Sequence, residues 1–379
     1  MSESILNITL KKGVAATAQS PVEAGKAQGS RWFKGPERTP FLAPRGVWSN
    51  GSNLLVSDTG RNRVFIWNQI PQGLFQEPDV VLGQGDADGT GRNAGGAVSA
   101  HTLQYPSGIW SDGQRLIVAD SWNHRVLIWH KMPEHAAQAA DVVLGQPDFS
   151  SNQPNVQGIG AAPAANSLYW PYGVFSDGHA LWVADTGNRR VLYFREIPSS
   201  SFCPADAVIG KPDFNTRDYE NQDAIWPYSV KIGPEGTLAI TDTQYYRVLL
   251  WKHWQDAFTQ PAACVLGQPD LDSNGQNQYG LYPQAHTLSW CYDSAFRAGQ
   301  LLVADTGNSR ISGFSLWPEQ NSPAATALWG KRDFQTGSEN ADTLFGTEGS
   351  LYWPFSICTA GELLIAADTG NHRIVFFDY

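Results

Sequence analysis

The chain has 379 residues, of which only 16% are charged, and 36 acidic against 26 basic residues give a net charge of −10. This acidic balance argues against a broad surface for nucleic acid or anionic lipid, and no apolar run reaches the length of a membrane span. We therefore expect a cytoplasmic protein with no nucleic-acid partner and no membrane partner. Aromatic residues reach 12%, with 37 Gly and 23 Pro, which is typical of many short strands joined by tight turns.

A repeat that occurs six times organises the predicted elements in chain order. Each copy places an aspartate five residues before an arginine, as in LLVSDTGRNRVFIW, and successive aspartates lie 57 to 65 residues apart. A proline precedes the aspartate by fourteen or fifteen residues, and a glycine follows it by 25 residues in the first five copies. We call the proline the landmark of each unit; in the fifth unit Cys291 replaces it. The Asp/Arg pairs are Asp58/Arg63, Asp120/Arg125, Asp185/Arg190, Asp242/Arg247, Asp305/Arg310 and Asp368/Arg373.

Each unit contains four β-rich runs, which in the third unit are GVFS, ALWVAD, RRVLYF and DAVIG. Asn-Gly or Asp-Gly pairs between the first two runs indicate hairpins, because these residues tolerate the positive φ of a two-residue turn. Four antiparallel strands repeated six times predict an all-β fold, a six-bladed β-propeller over residues 36–379. The sixth unit has only three runs, so we expect an N-terminal strand within residues 1–35 to complete it. Residues 5–10 and 31–35 are the candidates for this closing strand, which would remove two exposed edges.

The phrase P-x-G-V followed by L-x-V-A-D-T-G-N-x-R-V resembles the NHL-repeat family of β-propellers, over about residues 40–379. This resemblance implies the six-bladed fold. Relatives of this family include peptidyl-hydroxyglycine amidating lyases, which place zinc-binding histidines directly after the first-strand proline. This chain has Ser107, Tyr172 and Tyr228 at those positions, which disfavours a zinc lyase. The relatives also include RNA-binding propellers, which need a basic face that the acidic balance does not favour. Function must therefore be sought in individual side chains.

The repeated polar turn is predicted to be structural. An Asp or Thr at a strand end accepts turn N–H groups, Gly supplies the unusual φ, and the Arg pairs with a carboxylate. Six near-identical copies argue against catalysis, which normally breaks symmetry. The aromatics nine residues after each aspartate are expected to pack in the core between blades.

The candidate ligand-binding residues directly follow the landmark. In a propeller the first strands line the central channel, and the face with the long inter-blade loops is the candidate functional face. An aromatic crescent with one cation suits a small molecule or peptide that carries an anionic group; the alternative is that these side chains plug the channel. The residues are Arg45, Ser107, Tyr172, Tyr228, Tyr292 and Phe355.

Three further residues are candidates for chemistry at the same mouth. In the fifth unit Asp293 replaces a glycine among aromatic residues, which makes it a candidate general acid or base, with irregular local packing as the alternative. His101 and His286 both stand five residues before the landmark, in the second and fifth units, which a six-bladed ring places opposite each other. They are candidates for an acid/base pair or, less directly, for a metal site, although no cofactor is predicted.

These observations favour a ligand-binding propeller that holds a small molecule or peptide at the channel mouth. One alternative is an enzyme of the lyase or hydrolase type with its site at the same mouth. A second alternative is a scaffold for protein-protein interaction. Binding is preferred because no complete catalytic constellation is visible in the sequence.

Overall fold

The computed structural model describes residues 30–217, 225–318 and 320–378. Within these ranges the chain forms 24 short β-strands and a series of 3-10 turns. The strands assemble into six antiparallel sheets of four strands each, so the predicted six-bladed β-propeller is confirmed. None of the helices in the same ranges has the length and apolar character needed to cross a bilayer.

The first strand of each blade lies at the central channel and the fourth at the rim. The first strands contact one another in a closed ring, from β2 through β6, β10, β14, β18 and β22 back to β2. Blades 1 and 2 consist of β2 (Gly46–Ser49), β3 (Leu54–Asp58), β4 (Arg63–Trp67), β5 (Val80–Leu82), β6 (Pro106–Ser111), β7 (Leu116–Asp120), β8 (Arg125–Trp129) and β9 (Val142–Leu144). Blades 3 and 4 consist of β10 (Gly173–Ser176), β11 (Leu181–Asp185), β12 (Arg190–Phe194), β13 (Ala207–Ile209), β14 (Pro227–Ile232), β15 (Leu238–Asp242), β16 (Arg247–Trp251) and β17 (Cys264–Leu266). Blades 5 and 6 consist of β18 (Asp293–Arg297), β19 (Gln300–Asp305), β20 (Arg310–Ser315), β21 (Ala327–Trp329), β22 (Pro354–Ala360), β23 (Leu363–Asp368), β24 (Arg373–Asp378) and β1 (Ser30–Phe33).

An N-terminal strand closes the ring, as predicted. Strand β1 pairs antiparallel with β24, from Ser30 opposite Phe377 to Phe33 opposite Ile374. The candidate segment 31–35 therefore overlaps the closing strand, whereas the candidate 5–10 lies outside the described residues. Phe33 is fully buried and packs edge-to-face on Trp67 of blade 1 at 5.0 Å, so the closing strand joins the last blade to the first through apolar contact.

The apolar core lies between neighbouring blades. One cluster combines Trp110 and Ile128 of blade 2 with Leu181 and Phe194 of blade 3, and the other blade interfaces repeat this arrangement. The third-strand aromatics predicted to be core residues are buried in every blade, with at most 5% of their surface exposed. They are Trp67, Trp129, Phe194, Trp251, Phe314 and Phe377.

The repeated Asp/Arg turn is structural in all six blades. Each aspartate ends the second strand, accepts a hydrogen bond from the arginine Nε at 2.7 to 2.8 Å, and accepts a backbone N–H from sixteen residues upstream. Burial raises the pKa of these carboxyls, and the arginine and the amide partly offset that rise. The arginine also holds the loops before and after its blade, as Arg125 does by donating to the carbonyls of Ser99 and Thr102 before the blade and of Phe149 after it.

The long loops begin with a second repeated pattern. Three residues after the glycine, an aspartate such as Asp148 caps a turn by accepting two backbone N–H groups. In four of these loops, an asparagine seven residues after this aspartate forms two hydrogen bonds with the asparagine in the Asp/Arg turn of the next blade. Asn155, which follows blade 2, pairs in this way with Asn188 of blade 3 at 2.8 and 3.0 Å. The loops are thus anchored beside the turns on one face, which we call the upper face.

Candidate functional site

Each first strand runs from the upper face to the opposite, lower face. The residue directly after the landmark therefore lies at the upper end of the channel, and the residues two and four positions after it lie progressively deeper. The side chains at these three positions form three rings along the channel. In each ring the six blades contribute different residue types.

Aromatic rings close the upper end of the channel. Tyr172 and Tyr228 are each 3% exposed and Phe355 is 7% exposed. The ring centroids of Tyr172 and Tyr228 lie 4.9 Å apart, those of Tyr228 and Tyr292 also 4.9 Å, and those of Tyr292 and Phe355 4.1 Å. The cavity beneath them measures about 20 Å³, which is room for about one water molecule. These four residues form a plug rather than an open crescent.

Arg45 completes the plug from blade 1. Its guanidinium lies 4.0 Å from the ring centroid of Phe355 and 5.3 Å from that of Tyr105, and Nη1 is 3.5 Å from the Tyr172 hydroxyl. The buried Nε has no hydrogen-bond partner among the described residues, and no described carboxylate is ion-paired with this side chain. Arg45 is therefore a half-buried cation with unused donors.

Ser107 is separated from the other candidates. It is fully buried, and its hydroxyl bonds the Ser121 hydroxyl and donates to the Tyr172 carbonyl at 2.8 Å. Because both contacts join blade 2 to its own turn and to blade 3, the structure gives Ser107 a role between blades and not in the channel mouth. Tyr105, two residues earlier, supplies the aromatic neighbour of Arg45 instead.

Further aromatic side chains lie above the plug, at the residue directly before the landmark. Tyr105, Trp170, Trp290 and Trp353 occupy it with φ between 47° and 57°, a left-handed conformation that is unusual for bulky residues. The preceding blade stabilises this conformation, because the variable residue of its Asp/Arg turn accepts the aromatic residue's N–H. The donor–acceptor pairs are Tyr105 to Asn62, Trp170 to His124 and Trp353 to Ser309, at 3.0 to 3.3 Å.

His124 illustrates why these variable turn positions matter. Burial lowers the pKa of His124 to about 4, so its imidazole is neutral at neutral pH and Nδ1 is free to accept from the Trp170 amide. His124 does not belong to the candidate residues that the sequence indicates. Its signal was the chain position, one residue before each repeated arginine, where four blades place a hydrogen-bond acceptor.

Asp293 lies beneath the plug, at the second ring of the channel, and is 7% exposed. It accepts hydrogen bonds from Ser229 of blade 4 at 2.6 Å and from Ser356 of blade 6 at 2.9 Å. The amides of Ser294 and Ile357 donate to it as well, and the Lys231 ammonium is 3.2 Å from Oδ1. Asp293 therefore joins three blades through a satisfied buried network; its predicted role as a general acid or base stays a prediction.

The two candidate histidines lie at the rim and not across the channel mouth. His101 donates from Nδ1 to the Ala137 carbonyl at 2.7 Å, and its neighbour Thr102 bridges Gly83 at the end of the outer strand β5. The carbonyl of His286 accepts from Ser322, in the loop before the outer strand β21. The expected facing pair was wrong in location, because the loops turn outward along the rim before they reach the landmark. Among the described residues no three His, Cys, Asp or Glu side chains gather as a metal site would require.

The NHL-repeat family model matches residues 103–129, which span the first three strands of blade 2. The chain is a six-bladed β-propeller with an NHL repeat. No match was found among curated proteins.

Two solved lyase structures are similar to this chain over most of its length. A streptogramin B lyase shares 12% identity with it, over 92% of this chain and 97% of the lyase, with a TM-score of 0.48. A catalytically inactive virginiamycin B lyase from Staphylococcus aureus, solved with quinupristin, shares 10% identity over 93% of this chain and 99% of that chain, also with a TM-score of 0.48. At identities and TM-scores this low, the likeness carries no argument about the chemistry of this chain.

Proposed function

We propose that this propeller binds a small molecule or peptide with an anionic group on its upper face, with Arg45 as the anion contact. The observation that supports this function is a contrast between arginines. The six arginines that begin the third strands each bond an aspartate at 2.7 to 2.8 Å. Arg45 has no such partner among the described residues, and its guanidinium lies against the rings of Phe355 and Tyr105 and near the Tyr172 hydroxyl.

Because aromatic side chains fill the upper end of the channel, the proposed ligand site lies above the channel and not within it. Burial raises the pKa of Tyr172, Tyr228 and Tyr292, so these hydroxyls stay protonated and bring no competing negative charge to Arg45. Tyr105 stacks on Trp122 at 4.9 Å, and Trp122 exposes 43% of its surface. A flat or partly apolar ligand gains contact area on such rings.

A guanidinium suits this role because its planar donors match the two oxygens of a carboxylate or phosphate. The partly buried setting strengthens the attraction, since the surrounding rings lower the local dielectric. The expected ligand is therefore an organic acid or a peptide with a free carboxylate. Both belong to the class expected from the sequence, a small molecule or peptide with an anionic group. The enzymatic and interaction-scaffold alternatives stay predictions.

The test compares N-acetyl-diphenylalanine with its C-terminal amide by isothermal titration calorimetry. We expect the carboxylate to bind at least tenfold more tightly than the amide, because only the carboxylate offers Arg45 two acceptor oxygens. Arg45→Met should remove this difference, and Arg45→Lys should retain part of it. Arg38→Met is the matched control, since Arg38 is an exposed arginine paired with Asp88. Equal affinity of both probes for the unaltered protein, or unchanged selectivity in Arg45→Met, would refute the assignment.

A further inference from the structure

The lower end of the channel holds a pocket that the proposed function does not use. Its volume is about 220 Å³, and it lies on the face opposite the long loops. First strands from all six blades line it, and half of its lining residues are only partly buried. Its principal walls are Trp48, Trp110, Phe175, Lys231, Phe296 and Cys358.

The pocket exists because the third ring of the channel is uneven. The position four residues after the landmark carries an aromatic in blades 1 to 3, namely Trp48, Trp110 and Phe175. In blades 5 and 6 the same position carries Ala295 and Cys358. Three large side chains on one side of the axis thus face two small ones on the other, and the missing side-chain volume is the pocket.

A lysine stands at the inner end of the pocket, where the remaining blade contributes Lys231. This side chain is 22% exposed and lines both the pocket and the small cavity under the plug. Its ammonium touches Asp293, but that carboxylate already accepts hydrogen bonds from four neutral donors, the hydroxyls of Ser229 and Ser356 and the amides of Ser294 and Ile357. Since an ammonium has three donors, Lys231 retains capacity for an acceptor in the pocket.

We propose that this lower pocket is a second binding site, for a small molecule with one flat apolar ring and an acceptor oxygen that bonds Lys231. The aromatic walls supply stacking surface. The size limits the ligand to about one ring system, since pockets for drug-sized ligands measure about 300–1,000 Å³. The ligand's polar group must be an acceptor, such as a carbonyl or carboxylate oxygen, because the Lys231 ammonium can donate hydrogen bonds but cannot accept them. Lys231 lines both this pocket and the small cavity under the plug.

The experiment uses 2-phenylacetamide and phenylacetate as probes and toluene as the probe without an acceptor, with binding followed by saturation-transfer NMR titration. We expect both oxygen-bearing probes to bind at least tenfold more tightly than toluene. Cys358→Phe should weaken all three at least tenfold, because it gives blade 6 the aromatic that blades 1 to 3 already carry and fills the pocket. We expect this variant to fold, because blades 1 to 3 already accommodate an aromatic side chain at the equivalent position.

Two further variants separate this site from the upper face. Lys231→Met should reduce the affinity of 2-phenylacetamide and phenylacetate to that of toluene while leaving toluene within twofold. Arg45→Met should leave all three probes within twofold, whatever it does to N-acetyl-diphenylalanine. The proposal is overturned if none of the probes binds, if folded Cys358→Phe binds them unchanged, or if their binding depends on Arg45 instead.

Discussion

The two halves of the propeller line the channel differently, although they are built from the same repeat. At the position two residues after the landmark, blades 1 to 3 have Gly46, Gly108 and Gly173, where an added Cβ would lie only 2.0 to 2.5 Å from a carbonyl oxygen of the next blade. Blades 4 to 6 have Ser229, Asp293 and Ser356 at that position, joined by hydrogen bonds of 2.6 and 2.9 Å. Close backbone contact holds one half together and side-chain polarity the other.

The same division continues one ring deeper. Aromatics fill the lower channel in blades 1 to 3, whereas Lys231, Ala295 and Cys358 leave it open in blades 4 to 6. The polar and open parts of the channel therefore arise where individual blades depart from the repeat. Residues that all six blades share stabilise the ring, and residues on which they differ form the cavities and bring Arg45, Lys231 and Asp293 into the channel.

The largest expected effect comes from removing the polar junction. Asp293→Ala deletes the acceptor shared by blades 4, 5 and 6 and leaves Lys231 near the channel axis without its counter-charge, which should lower the free energy of unfolding by about 3–5 kcal/mol. Asp293→Asn keeps the shape and one acceptor oxygen, so it should cost less. Urea denaturation of the two variants measures the difference. A loss below about 1 kcal/mol for Asp293→Ala would show that the three blades do not depend on this carboxylate.

The glycine half is tested at the equivalent position. Gly108→Ala places a Cβ 2.5 Å from the Tyr172 carbonyl oxygen and 2.9 Å from the Gly173 Cα, and this overpacking should cost about 2–3 kcal/mol. Ser229→Ala is the matched substitution in the polar half and removes one hydrogen bond to Asp293, for about 1.5 kcal/mol. Both free energies come from urea unfolding. If the two substitutions cost the same, or if Ser229→Ala costs more, the proposed division of the ring is incorrect.

The smallest effect is expected at the upper rim and depends on pH. The pKa of His124 is lowered from 6.5 to about 4 in the folded chain, so the unfolded state binds more protons between these values and stability falls as pH falls from 6.5 to 4. His124→Asn should reduce this decline by about 1–2 kcal/mol, since Asn62 serves the same purpose in blade 1 without titrating. Melting temperatures of both proteins at pH 7 and pH 4.5 provide the measurement. Parallel pH profiles would rule out this role for the imidazole.

Two kinds of sequence signal differed in their success. The Asp/Arg turn and the hairpin pairs predicted the blades, because both depend on residues that are near neighbours in the chain. The missing run of the sixth unit predicted the closure by counting alone, since the strands that pair there lie far apart in the chain. Site prediction was incomplete, because residue spacing along the loops does not reveal where a loop turns. His101 and His286 keep the same chain position yet lie at the rim, and Lys231 was overlooked although comparing the fourth position across units would have exposed it.

The sequence by itself determined the number of blades, the strand order and the structural role of the repeated ion pair, since a six-residue segment with Asp and Arg at its ends folds largely by local rules. Only the tertiary structure decided that the predicted crescent is a closed plug, that Asp293 lies in a three-blade network and that a pocket opens below it. These features join residues of different blades, about 60 positions apart in the chain. Their contacts depend on how six side chains share one axis, which packing decides and spacing does not.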